Sequence, residues 1–310
     1  MTATQVFTVK ATPPFDFDLS ARIFSGGDRQ ISNYQNGKFW QVIRLDEKPT
    51  LIAIKSSGTV EQPKLSVKLT CDQKISDTDE RRAAEIIGTL FNLNFDLNPF
   101  YEEAKNDKVM AELTRRMRGL KSPTTQTAFE ALVDSIVEQQ ISLNVAGSME
   151  RKLIKAFGDT LRLKWEVYYA FPTPRNLASA SSKQLRQCGL SLRKIEYIKE
   201  ISKLIADGKL ELEKFKKYES AKEIVKELDE IRGIGVWTAE MTMVRGMQKL
   251  DAMPADDLGL RRIISRYYCK KRRITSEEAR KTAENWGRWK GLASFYLYVA
   301  SVLGIEVQNI

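Results

Sequence analysis

Apolar and polar residues alternate along the first part of the chain. QVFTVKA (5–11), KFWQVIRL (38–45), TLIAIKSSG (50–58) and LSVKLTC (65–71) are short runs with period-two character, the repeat of a strand with one buried face. Turn signals such as FSGGDRQ (24–30) and NGK (36–38) part them. They predict an antiparallel sheet over residues 1 to about 75, crossed by a helix at DFDLSARIF (16–24). From DTDERRAAEIIGTLFNL (77–93) onward the period becomes that of a helix and stays so. Phe129, Leu132, Val133, Ile136 and Val137 share one face; so do Leu153, Ile154 and Phe157, and Ile195, Ile198, Ile201 and Ile205. FPTPRNLASASSKQLRQCGLS (171–191) is turn-rich and holds one short helix. Ile224, Leu228 and Ile231 form a stripe, and Leu260, Ile263, Ile264 and Tyr267 form another. LASFYLYVASVLG (292–304) is apolar nearly all round and predicts a buried helix. The fold class is therefore α+β: an N-terminal antiparallel β-sheet domain over 1–88 with one or two helices, followed by a large all-α region over 89–310.

Composition narrows the chemistry. With 310 residues, 42% of them apolar, the chain can bury a large core. Lys and Arg outnumber Asp and Glu by 50 to 40, which favours a polyanionic partner, nucleic acid before membrane, because no apolar span accompanies the charge. Histidine is absent. That removes Ser-His-Asp and Cys-His nucleophiles, imidazole acid–base catalysis and every histidine-containing zinc site. Cys71, Cys188 and Cys269 are too far apart for a CxxC pair or an iron–sulfur cluster and read as isolated thiols. No basic segment followed by an apolar one opens the chain, and the expected location is cytoplasmic, on DNA.

Two stretches carry candidate chemistry. In LDEIRGIGVWTAE (228–240), Gly233 and Gly235 flank Ile234 between two helical patterns. A glycine turn opening a helix presents unpaired N–H groups at the positive end of the helix dipole, which suits a phosphate read without regard to base sequence. A plain interhelical turn has the same appearance. In PADDLGLRRII (254–264), Asp256 and Asp257 stand where a helix begins, and either serves as an N-cap.

Taken together these strings resemble a family. LDEIRGIGVWTAE is similar to the helix-hairpin-helix motif of base-excision DNA glycosylases. LNFDLNPFYEEAKNDKVMAELTRRMRGLKSP (93–123), FEALVDSIVEQQIS (129–142), the hairpin and PADDLGLRRII succeed one another as in the 3-methyladenine DNA glycosylase II family, a likeness covering about residues 76 to 300.

The resemblance implies two helical lobes with an active-site cleft between them. One spans about 123–250 and contains the hairpin at 221–247; the other combines 89–122 with 251–310. It implies Asp257 as the catalytic carboxylate, with Asp256 as a cap or supporting group, in a monofunctional enzyme that excises alkylated purines, 3-methyladenine above all, from double-stranded DNA. Relatives with lyase activity carry a lysine where this chain has Trp237, so no amine is available there for a Schiff base.

It further implies Trp237 and Tyr298 as base-pocket residues, with Phe15 and Phe17 reaching in from the sheet domain. Gly233, Ile234, Gly235, Val236, Trp237 and Thr238 would contact DNA. So would Gln139, Gln140 and Ile141, with Gln140 the expected plug for the gap behind a flipped base and Ile141 the alternative. The run Cys269–Arg273, Lys290 and Arg245 are further candidates for DNA contact. The main-chain carbonyls of Asp229, Ile231 and Ile234 would hold a structural K⁺ or Na⁺, no cofactor is needed for catalysis, and the protein is expected to be a monomer. The same fold acting on hypoxanthine, 1-methyladenine or an oxidised purine, and a non-catalytic helix-hairpin-helix DNA-binding protein, remain as alternatives.

Overall fold

A computed structural model describes residues 2–307; the outermost expected domain limits, 1 and 310, lie outside them. The alternating runs become β1 Ala3–Lys10, β3 Lys38–Leu45, β4 Lys48–Ser56 and β5 Lys64–Cys71, joined by the short β2 Ser32–Gln35. All pair antiparallel in the order β1-β5-β4-β3-β2. The inward residues of β3, β4 and β5, among them Phe39, Ile43, Ile52, Ile54, Val67 and Leu69, are fully buried. Two helices cover that face: α1 Phe17–Phe24, capped by Asp16, and α2 Asp77–Leu90, which opens with a Ser76–Asp79 capping box. Ala83, Ile87 and Leu90 of α2, with Phe91 and Leu93 beyond it, belong to the sheet core. The limit expected at residue 88 thus falls within a helix, and the sheet core runs on to Leu93.

The rest is mainly helical: α3 Asn98–Ala104, α4 Lys108–Arg116, α5 Ala128–Glu138, α6 Leu143–Phe157, α7 Pro174–Ser179, α8 Ser182–Gln187, α9 Leu192–Ala206, α10 Ala221–Asp229, α11 Val236–Gly246, α12 Leu258–Tyr268, α13 Ser276–Ala283 and α14 Lys290–Val302. One departure from the expected all-helical region is a two-stranded hairpin, β6 Thr160–Leu163 and β7 Glu166–Tyr169. Leu161 and Leu163 pack with Cys71 against the sheet domain, and burial there overrides the weak local signal of four-residue strands. The turn-rich segment holds two short helices, α7 and α8, rather than one.

Two apolar cores divide the helices. Residues from Ala128 to Ala252, on α5, α9, α10 and α11 among others, form the first; Leu97–Leu120 together with Met253–Ala300 form the second. The chain passes from one core to the other at 252–253, immediately before Asp256 and Asp257. Tyr296 anchors the second core: its hydroxyl donates to the Leu120 carbonyl at 2.8 Å and meets Tyr101 Oη at 3.1 Å. Lys121 fastens the lobes to the sheet domain. Fully buried, its ammonium donates to the carbonyls of Thr12 and Leu93, each at 2.8 Å.

Candidate active site

The helical stripe Ile224 and Leu228 seats α10 in the first core, and Ile234, 2% exposed, pins the turn beyond it. Gly233 sits at φ +94°, in the left-handed region. A Cβ there would lie 2.3 Å from Cγ of Tyr197, so any side chain is excluded twice, by conformation and by space. Gly235 is different: its φ is ordinary, it is exposed, and nothing lies within 4 Å of where its Cβ would be. It caps α11 without a side chain, so the first N–H groups of α11, those of Val236, Trp237 and Thr238, have no hydrogen-bond partner among the described residues.

The residues expected to touch DNA do not behave alike. Val236 is 39% exposed. Thr238 is buried, and its side chain accepts a hydrogen bond from Gln139 Nε2 at 3.0 Å, so only its main chain is available to a ligand. Gln139 Nε2 also donates to the Gly233 carbonyl at 3.0 Å. Gln139 is therefore a strut between α5 and the hairpin, with no free amide to insert into DNA. Ile141 packs half-buried on the first core. Gln140 alone of the three is exposed, at φ +57°.

Asp257 is half-buried at the N-terminus of α12. Its Oδ1 accepts the Leu260 N–H at 2.7 Å, while Oδ2 accepts no hydrogen bond among the described residues. The cap and the expected catalytic acid are thus one residue. Asp256, expected as a cap or supporting group, caps nothing; it is exposed and faces Arg280 at 3.4 Å. Arg280 makes a tighter fork with Glu240 of α11, at 2.7 and 3.1 Å, and donates to the Met253 carbonyl at 3.2 Å. Glu240 is 6% exposed, and burial pushes its carboxyl above the usual range. One guanidinium thereby ties the hairpin helix, α13 and the loop carrying Asp257. Nothing in the sequence pairs Glu240 with Arg280, forty positions apart.

Trp237, one residue inside α11, is half-exposed and belongs to neither helical core. Tyr298 is 40% exposed on α14, whereas its neighbours Trp286, Trp289 and Tyr296 are buried. Phe15 and Phe17 require correction. Both are at most 3% exposed and packed in the sheet core, Phe17 against Phe91 at 5.4 Å. Burial among those rings leaves them no face for a base. Arg245 is also committed elsewhere, to Glu138 at 2.7 Å. Lys270 and Lys271 are exposed in left-handed backbone, and Arg272 pairs with Glu278; Lys290 is half-buried at the start of α14.

The Glu138–Arg245 pair belongs to an acidic seam. Glu130, Asp134 and Glu138 repeat every four residues along α5 and face Glu150 of α6; Arg245 is the main cation beside Asp134, Glu138 and Glu150, and Arg44 the one beside Glu130. Burial, then like-charge neighbours, pushes Glu130 and Glu150 up to about 7 and Asp134 upward as well. A carboxyl whose folded pKa is raised contributes stability that is complete below its unfolded value and is lost as pH climbs through the folded value. Melting temperature should therefore fall between pH 5 and 8. Replacing Glu130 and Glu150 with Gln should raise it at pH 8 and flatten that slope, which thermal melts across the range will measure.

Two surface cavities of about 440 and 420 Å³ lie elsewhere, the first lined by Asp107, Tyr268 and Asn285 and the second by Lys152, Lys155 and Cys188. Neither includes Asp257 or Trp237. No group of three or more Cys, Asp or Glu side chains that could hold a metal ion occurs among the described residues, and no helix is long and apolar enough to cross a membrane. At the hairpin, the carbonyls of Asp229 and Ile234 accept no backbone hydrogen bond among the described residues, and that of Ile231 accepts one, from the Ile234 N–H at 3.0 Å. Neutral carbonyl oxygens of this kind would suit a monovalent cation better than a divalent one.

Comparison with known proteins agrees with this architecture. The family model for HhH-GPD superfamily base excision DNA repair proteins matches residues 133–288, and that for the 8-oxoguanine DNA glycosylase N-terminal domain matches 16–132. A DNA-3-methyladenine glycosylase of Bacillus subtilis is 30% identical over 93% of this chain and 95% of its own. The solved 3-methyladenine DNA-glycosylase of Archaeoglobus fulgidus superposes with a TM-score of 0.84 at 25% identity, covering 96% of this chain and 99% of its own. An 8-oxoguanine glycosylase/lyase of Clostridium acetobutylicum shares the fold, with a TM-score of 0.73 at 21% identity over 96% and 98% of the two chains. The chain belongs to the HhH-GPD superfamily of base excision DNA repair proteins, and within it is a DNA glycosylase.

Proposed function

We propose that this glycosylase hydrolyses the N-glycosidic bond of alkylated purines, 3-methyladenine and related bases, in double-stranded DNA, with water as nucleophile and without a strand-cleaving lyase step. The observation that carries the reading is Asp257: one carboxylate oxygen fixed by the α12 cap, the other free, on a loop tied to the hairpin helix through Arg280. Breaking the bond builds positive charge on the deoxyribose. A fixed anion beside the sugar stabilises that charge and orients or deprotonates the attacking water. Alkylation makes the base a better leaving group, so a protein without histidine can run the reaction.

The target must leave the duplex to reach the acid. Free N–H groups at Val236–Thr238 hold a phosphate beside it, Gln140 fills the vacated stack, and Trp237 and Tyr298 border the base. The electron-rich face of Trp237 attracts a cationic purine. The same residue replaces the amine a lyase would use. The hairpin carbonyls of Asp229, Ile231 and Ile234 hold K⁺ or Na⁺ as a structural element, and the enzyme works as a monomer.

A second reading, excision of an oxidised purine, is favoured by the match of residues 16–132 to the 8-oxoguanine glycosylase N-terminal domain. A panel of duplexes, each with one 7-methylguanine, hypoxanthine or 8-oxoguanine, separates the two. Release of the methylated base with 8-oxoguanine left in place is the expected result. Release of 8-oxoguanine alone supports the second reading instead.

A further inference from the structure

Lys194 is out of place by pattern. It adjoins the apolar stripe of α9, and a lysine there would ordinarily extend its ammonium to water. Instead it is 8% exposed. Its Nζ donates to the carbonyls of Val137 at 2.7 Å and Gln139 at 2.8 Å, at the C-terminal end of α5. Those carbonyls have no partner within the helix, and a cation is favourable at that end of its dipole. Among the described residues no carboxylate pairs with Lys194, so the ammonium is committed to the end of this helix.

Just beyond that end lies Gln140, exposed and held at φ +57°. A non-glycine residue there is strained and persists only where its surroundings enforce it. Lys194 grips the carbonyl immediately before it, and the Gln139 amide grips the hairpin through the Gly233 carbonyl and Thr238 Oγ1. Tyr197, one turn along α9 from Lys194, forms the wall against which Gly233 packs. A single helix therefore braces both the plug and the phosphate-binding turn.

Resting on the function proposed above, we infer that Lys194 is a positioning residue for base flipping: its ammonium presets the Gln140 segment at a fixed offset from the hairpin, so that the plug needs no ordering when the nucleotide leaves the stack. A plug ordered only during flipping would place that entropy cost on the flipping step. The need disappears where the lesion is already unpaired.

The test compares single-turnover release of 7-methylguanine from a paired duplex and from a bubble in which the lesion is unpaired. Lys194→Met should slow release from the duplex by about tenfold and from the bubble by under about twofold, and Lys194→Arg should restore most of the duplex rate. Lys194→Gln, a milder change, should give an intermediate ratio and serves if the Met variant does not fold. Lys121→Met is the control: another buried ammonium on two carbonyls, remote from the plug, whose loss should lower melting temperature and leave the duplex-to-bubble ratio unchanged. Equal effects of Lys194→Met on both substrates, or a ratio shifted as much by Lys121→Met, would overturn the inference. No release by the wild type from either substrate would instead overturn the proposed function itself, and the inference with it.

Discussion

Replacing Asp257 with Asn is expected to lower single-turnover base release by at least about 10³-fold, the scale of losing both an electrostatic stabiliser and a general base. Melting temperature and duplex affinity should barely change, because Asn caps a helix about as well as Asp and keeps the Leu260 N–H satisfied. That separation matters. Asp257→Ala would remove the cap as well, costing about 1 kcal/mol of stability and confounding the two roles. Asp256→Asn loses only an exposed contact with Arg280 at 3.4 Å and should stay within a few-fold of wild type. Rates at saturating enzyme, taken beside thermal melts, measure both halves of the expectation.

The second large effect is expected at Gly233. Gly233→Ala forces a methyl to within 2.3 Å of the Tyr197 ring at a backbone angle that disfavours any Cβ. Left-handed strain and overpacking together should cost about 2–4 kcal/mol, and the displaced turn should bind DNA poorly. Gly235→Ala makes the contrast. Its conformation is ordinary and its surroundings open, so stability should fall by under about 1 kcal/mol. If the turn holds a phosphate as proposed, the added methyl stands in its path, so duplex affinity should still drop. Denaturant titration and DNA-binding isotherms of the two variants distinguish a turn that needs glycine for its fold from one that needs it for its ligand. Equal behaviour of the two would contradict this division.

How far the fold and the site could be read from the sequence depended on the range of the interaction. Period-two runs predicted four strands because alternation is a local property, but β2, the polar SNYQ, carries no such signal and forms only by pairing with β3. The β6–β7 hairpin was hidden for a related reason: two four-residue strands exist because Leu161 and Leu163 find the sheet domain. At the site, the hairpin and the aspartate pair stood out as strings. Their supports did not. The Gln139 strut, the Lys194 cap and the Glu240–Arg280 fork each join residues forty or more positions apart, and side-chain chemistry alone does not announce a partner. Phe15 and Phe17 show the converse error, since an aromatic that could line a pocket is equally suited to a core, and only packing in the sheet core decides. Arg245 was misplaced likewise: a cation that looks available for phosphate is held by the acidic seam of α5.

The most direct measurement is a single incubation of the wild-type protein with dimethyl sulfate-treated duplex DNA, analysing the freed bases while borohydride traps any covalent adduct. Excision by water at a lone carboxylate gives free 3-methyladenine, intact strands carrying abasic sites, and no trapped protein–DNA species. Methylated bases all retained in the DNA, or a borohydride-stable adduct accompanied by strand scission, would contradict it.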